Sequence, residues 1–119
     1  MTTVGQIEAR ACVEMNKFFQ QNVGRGASNT TATFRKDAMF IHFQDVLTSG
    51  ERCLSTTAGG PDEGGEAMVR SVRDLLVRRS RSELANLLAG IVGRTPTAVL
   101  HDMDAATGQE MIVFVFEAS

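Results

Sequence analysis

The stretch QEMIVFVFE, residues 109–117, decides the fold. Its centre, MIVFVF at 111–116, is apolar at every position and is the longest apolar run in the chain. A bilayer span takes about 20 such residues in a helix, so this segment is no membrane anchor. β-Branched and aromatic residues dominate it, and it reads as a strand. A strand that is apolar at both alternating positions is central in its sheet or covered on both sides. The segment before it, TAVLHDMD at 97–104, reads as its partner strand, with AATG as the turn between them.

Working outward, NTTATFR (29–35) and AMFIHFQ (38–44) form a second predicted hairpin across the short Lys36-Asp37 connection. Residues 3–22 carry Val4, Ile7, Ala11, Met15, Phe18 and Phe19 at steps of three and four, the pattern of an amphipathic helix. Gly24 and Gly26 suit its end. VLTSGERCLSTT (46–57) reads as a short helix capped by Thr48 or Ser49. AGGPDEGGE (58–66), with four glycines and a proline, reads as a flexible loop. A long helix is predicted over 66–92, with Met68, Val72, Leu75, Leu76, Leu84, Leu87, Leu88 and Ile91 as its apolar stripe, ended by Gly93 before Pro96.

The resulting order is αββααββ. Its economical solution is an α+β fold in a single domain, 1–119, with two β-hairpins forming a four-stranded antiparallel sheet packed with two to three helices. One long and one shorter helix do not cover both faces of a small sheet. A second subunit covering the rest is therefore expected, making the protein a homodimer.

With 119 residues, 43% hydrophobic and 22% charged, the chain has the composition of an ordinary globular domain. A net charge of −2 and a pI of about 5.6 argue against nucleic-acid and lipid binding. MTTVGQIEAR at the start lacks the basic-then-apolar pattern of a signal peptide. Cys12 and Cys53 lie far apart without metal-type spacing and read as reduced thiols, so a cytoplasmic location is expected. Ten of the twelve basic residues are arginine. That skew fits anion recognition by planar guanidinium groups, but a GC-rich coding bias explains it as well and is the preferred reading.

Candidate chemistry is sparse. Asp102 and Asp104 share one side of their strand and His101 the other. The aspartates could share a cation or act as an acid–base pair, although capping the hairpin is the simpler role. If the hairpins lie side by side, His42 and His101 could meet. A metal site would then need carboxylates such as Asp45 or Asp102 beside them. No serine sits in a nucleophile elbow, and neither cysteine has a neighbouring base. VGRGASNTT (23–31) looks like a phosphate cradle but matches neither phosphate-loop fingerprint, lacking G-K-[ST] and a third glycine. Arg70, Arg73, Arg78, Arg79 and Arg81 crowd the predicted long helix. Arg70, Arg73 and Arg81 fall in one sector opposite the leucines, where a solvated basic face is expected.

Read end to end, the chain resembles the MpsC-type family, small bacterial proteins named for a sodium-translocating membrane-potential-generating system. The resemblance rests on GRGAS at 24–28, DVLTSGERCL at 45–54, RSELANLLAGIVGRTPTAVLHDMD at 81–104 and EMIVFVFEA at 110–118, with VLTSGER the most specific piece. It carries over Arg25, Glu51, Arg52, Arg81 and Asp102. The chain departs from the pattern at Ala27, where proline is usual, at Asn29 and Thr31, where arginines are common, and in lacking His-x-Asp-Pro after the final aspartates.

The resemblance implies a non-enzymatic accessory or regulatory module of a membrane ion or bicarbonate transport system, with a membrane-transport protein as partner. It would work without a cofactor, peripheral to the inner membrane. A partner or small anion would be recognised through Gly24, Arg25, Gly26, Glu51, Arg52 and Arg81. The alternative is a metal-binding or enzymatic protein using His42, His101, Asp102 and Asp104.

Overall fold

The computed structural model describes residues 2–55 and 64–117. Helix α1, Val4–Val23, opens with a capping box in which Thr3 and Gln6 each accept from the other's backbone N–H. It ends at Gly24, whose φ of 91° places it in the left-handed region that favours glycine. Strands β1 (Asn29–Arg35) and β2 (Ala38–Gln44) form the first hairpin, and β3 (Pro96–Asp104) and β4 (Gln109–Phe116) the second. Helices α2 (Ser49–Ser55), α3 (Gly65–Arg79) and α4 (Arg81–Val92) lie between the hairpins. The predicted loop over 58–66 falls outside the described residues as far as residue 63.

The sheet is fully antiparallel in the order β1-β2-β4-β3, so the doubly apolar strand is central, as its composition requires. Period-two alternation sends Met39, Ile41 and Phe43 of β2 and Ile112, Phe114 and Phe116 of β4 to one face. There they pack with Ala11, Met15, Phe18 and Phe19 of α1, Val69 and Val77 of α3, and Leu84 and Leu88 of α4. Phe19 meets Phe18 and Phe43 edge-on. The opposite face carries Phe40, Leu100 and Met111, all exposed.

Edge strand β1 is protected by α1. Glu8 accepts from the Phe34 N–H at 2.8 Å, and the Cys12 thiol lies 3.5 Å from the Thr30 carbonyl. Burial, with help from the charge of Glu8, raises the Cys12 pKa.

Three expectations need correction. The single helix over 66–92 is two helices meeting at Ser80, which sits at φ −94°, ψ 10°. A straight helix of that span would be about 40 Å long, whereas the longest strand reaches only about 30 Å. The bend keeps the inward sides of both segments over the sheet. The short helix begins at Ser49, three residues later than expected, with Thr48 as its cap, and runs to Ser55; residues 56 and 57 of the expected span lie outside the described residues. Finally, α3 does not bury the face that its apolar residues suggested. Met68, Val72 and Leu75 are exposed, and Val69, Arg73 and Val77 face inward.

Candidate functional site

The physical reason for that rotation is Arg73. Its side chain is 1% exposed and every arm of the guanidinium is used. Nε and Nη2 donate to Glu51 Oε2 and Oε1 at 2.8 and 2.7 Å, the bidentate fork that carboxylates favour. Nη2 also donates to the Val46 carbonyl at 2.6 Å, and Nη1 donates to Glu110 Oε1 at 3.1 Å. The group lies 5.8 Å from the Phe19 ring centroid. Burying a charge is tolerable only with partners of this completeness. Burial pulls the Arg73 pKa down, yet the Glu51 hydrogen bonds and the charges of Glu110 and Glu51 outweigh it and leave the pKa raised.

The chain continues beyond Glu110. Its Oε2 lies 2.6 Å from His101 Nε2, and His101 Nδ1 lies 3.3 Å from Asp74 Oδ1. Asp74 is paired with Arg78 one helical turn on. A neutral imidazole could donate to only one of the two oxygens it faces. The pairing to Arg78, then to His101, holds the Asp74 pKa below its ordinary value. Glu51–Arg73–Glu110–His101–Asp74 is thus one continuous polar path from α2, beneath the sheet, to the space between α3 and β3. It reaches the surface at a pocket of about 430 Å³ lined by Ala67, Arg70, Ser71, Asp74, His101 and Asp102.

The sequence VLTSGER serves as the anchor of this path. Thr48 and Glu51 form a second capping box, each accepting from the other's backbone N–H. The cap orients Glu51 towards Arg73, while the carbonyl of Val46 takes a third guanidinium hydrogen. Burial works against ionisation of Glu51, but Arg73 and the Thr48 N–H overcome it, and its pKa is lowered.

Arg25 and Arg52 do converge, but on a carboxylate of the chain itself. Asp45, in the left-handed region at φ 58°, accepts from Arg25 at 2.7 Å, from Arg52 at 2.8 Å and from the Ser28 hydroxyl. Ser28 and then Arg52 hold its pKa low. The neighbouring loop amides are also engaged: Gly24 N–H caps α1, Gly26 N–H donates to Gln20, and Ala27 N–H donates to Asn16. Arg81 is not part of this group. Its Nη2 donates to the Thr97 carbonyl at 3.4 Å, and it lines a small pocket with Asp74, Arg78 and His101.

The sheet separates the alternative metal set. His42 is opposite Met111 and His101 opposite Ile112, neighbouring residues of β4 that point to opposite faces. The histidines therefore do not meet. His42, Asp102 and Asp104 border an open depression of about 330 Å³ on the uncovered face, where His42 contacts Gln109 and Asp102 pairs with Arg70. Among the described residues no group of three or more His, Cys, Asp or Glu side chains is placed to hold a metal ion.

Arg73, Asp74 and Glu110 were missed as functional candidates, and Arg73 overturns the expected solvated basic face. A signal for them existed. Glu110 is in phase with the buried row Ile112, Phe114 and Phe116, His101 with Val99 and Met103, and Arg73 with Val69 and Val77. Charged or titratable groups in phase with a core row need partners there.

The fold and its buried network define a small α+β protein built around an internal chain of ion-paired and hydrogen-bonded side chains, with no helix among the described residues long and apolar enough to cross a membrane. The chain belongs to the MpsC family, described as a Na+-translocating membrane potential-generating system, whose model matches residues 3–118. No curated protein sequence and no solved structure gives a significant match.

Proposed function

We propose that this chain is a non-catalytic accessory module of a Na+-translocating membrane potential-generating system, docked as a homodimer on a membrane protein of that system from the cytoplasmic side. The observation that carries the reading is the outward stripe of α3. Met68, Val72 and Leu75, at steps of four and three, are 57%, 59% and 50% exposed. A helix that spends its inward side on an arginine while presenting apolar residues to water has the character of an interaction surface. The family supplies the setting. Partner recognition is preferred to small-anion binding because the guanidinium groups of Arg25 and Arg52 already hold Asp45. The buried path gives α3 a fixed orientation from which to present the stripe.

Co-sedimentation with membranes of the native host tests this. Val72→Glu combined with Leu75→Glu alters only exposed positions, so the thermal transition should hold while membrane retention is lost. Protein-free vesicles of host lipids should retain neither form. Retention of the double variant at the wild-type level would overturn the reading.

A further inference from the structure

The uncovered sheet face is separate from the α3 stripe, and the interface drawn from it rests on the homodimer part of the reading above. Registers across β1, β2, β4 and β3 place side chains in rows on that face. One row is Thr33, Phe40, Val113 and Leu100. The next is Thr31, His42, Met111 and Asp102, and another is Arg35, Ala38, Val115 and Ala98. The apolar members lie on β2, β4 and β3 only. β1 contributes Asn29, Thr31, Thr33 and Arg35, a polar margin on one side.

Strands in a sheet are evenly spaced at about 4.8 Å, so β2 and β3 flank β4 at equal distances. A two-fold axis running along β4, between two such faces, therefore lays β2 of one copy over β3 of the other. Under that operation each row is its own complement. Phe40 comes opposite Leu100, Ala38 opposite Ala98, and His42 opposite Asp102, each pair formed twice. Arg70 and the Met103 N–H both bond to Oδ1 of Asp102, whose side chain stays 69% exposed. The His42 ring uses only Nε2 internally, towards Gln109. The threonine-rich outer side of β1 falls at the rim, where interfaces are polar.

We infer that the uncovered face is an isologous dimer interface with its axis along β4, filled by a second copy of this chain and flanked by paired His42–Asp102 contacts. What favours a second copy is the chemistry of the rows, in which apolar Phe40 and Ala38 come opposite apolar Leu100 and Ala98, and His42 comes opposite the carboxylate of Asp102.

Size-exclusion with light scattering and equilibrium sedimentation of the full chain test the inference. The wild type should be a dimer, and Leu100→Asp should be a folded monomer with an unchanged circular dichroism spectrum. His42→Glu should weaken the dimer about tenfold or more, and His42→Glu with Asp102→Lys should recover it. A monomeric wild type would overturn both the homodimer and this interface. A dimer indifferent to Leu100→Asp would overturn the interface but leave the homodimer standing. Loss of the dimer in Leu100→Asp without recovery in the charge-swapped pair would overturn the axis along β4. None of these outcomes bears on membrane retention through α3.

Discussion

Arg73 and Glu110 form an ion pair with both side chains removed from water, at 3.1 Å and with 1% and 0% exposure. Their Cα positions lie 37 residues apart, on α3 and β4. The pair therefore ties the helical layer to the central strand through a contact whose loss cannot be made up by solvent. The two residues stand at the middle of a path that neither completes alone.

Removing one partner should be costly. Arg73→Met leaves Glu51 and Glu110 facing each other across a dry site, and a loss of about 3–5 kcal/mol is expected. Urea unfolding of the variant measures it. Glu110→Gln, which keeps the shape, should cost less but still exceed a typical surface change. A loss in Arg73→Met no larger than that of a surface substitution would show that the pair does not organise the fold.

Acid should destabilise the protein in a defined direction. Glu51, Asp45 and Asp74 all have folded pKa values below their ordinary ones. A lowered folded pKa contributes stability that is complete above the unfolded value, about 4 for carboxylates, and is lost as pH falls through the folded values. Urea midpoints should therefore be flat near neutrality and decline below about pH 4. Asp45 and Asp74 are solvent-screened, so Glu51 should supply the largest share of the slope. Glu51→Gln should flatten the decline; an unchanged slope would assign it to other groups.

The cap on α2 has two tasks. Thr48→Ala removes the side-chain acceptor for the Glu51 N–H and should cost about 1 kcal/mol from the cap itself. Because the same box orients Glu51 towards Arg73, the measured loss should exceed that figure. In a double-mutant cycle Thr48→Ala and Arg73→Met should couple. Strict additivity would mean that the cap and the guanidinium act separately.

Gly65 opens α3 beside the carbonyl of Leu54. A Cβ there would lie 1.8 Å from that oxygen, so the two helices could not keep their approach. Gly65→Ala should lower the thermal midpoint markedly, whereas Gly90→Ala, with open space around it, should raise it slightly. Equal effects of the two substitutions would contradict the close approach.

Much of the architecture was legible in the chain because the signals are local. The alternation of AMFIHFQ and the doubly apolar MIVFVF specify strands and a central position through side-chain direction alone. Gly24 marks the end of α1 because the left-handed φ there suits a residue without a Cβ. The order αββααββ and the antiparallel sheet follow from those signals together with short connections.

The site was less legible. Arg25, Arg52 and Asp45 each stand out in the sequence, Asp45 as a carboxylate for a metal, but nothing local marks Asp45 as the common partner of the two arginines. A wheel of apolar residues weighs Met68, Val72 and Leu75 and cannot count acceptors elsewhere, so the pattern alone points Arg73 to solvent. Nothing in the linear pattern keeps His42 and His101 apart; the strand register does. The amino-acid pattern alone settles what depends on neighbours a few residues away: strand, helix, cap and turn. The folded chain decides which charges may leave water. Desolvating Arg73 is tolerable only when Glu51, Val46 and Glu110, at 22, 27 and 37 residues' separation, arrive together around it.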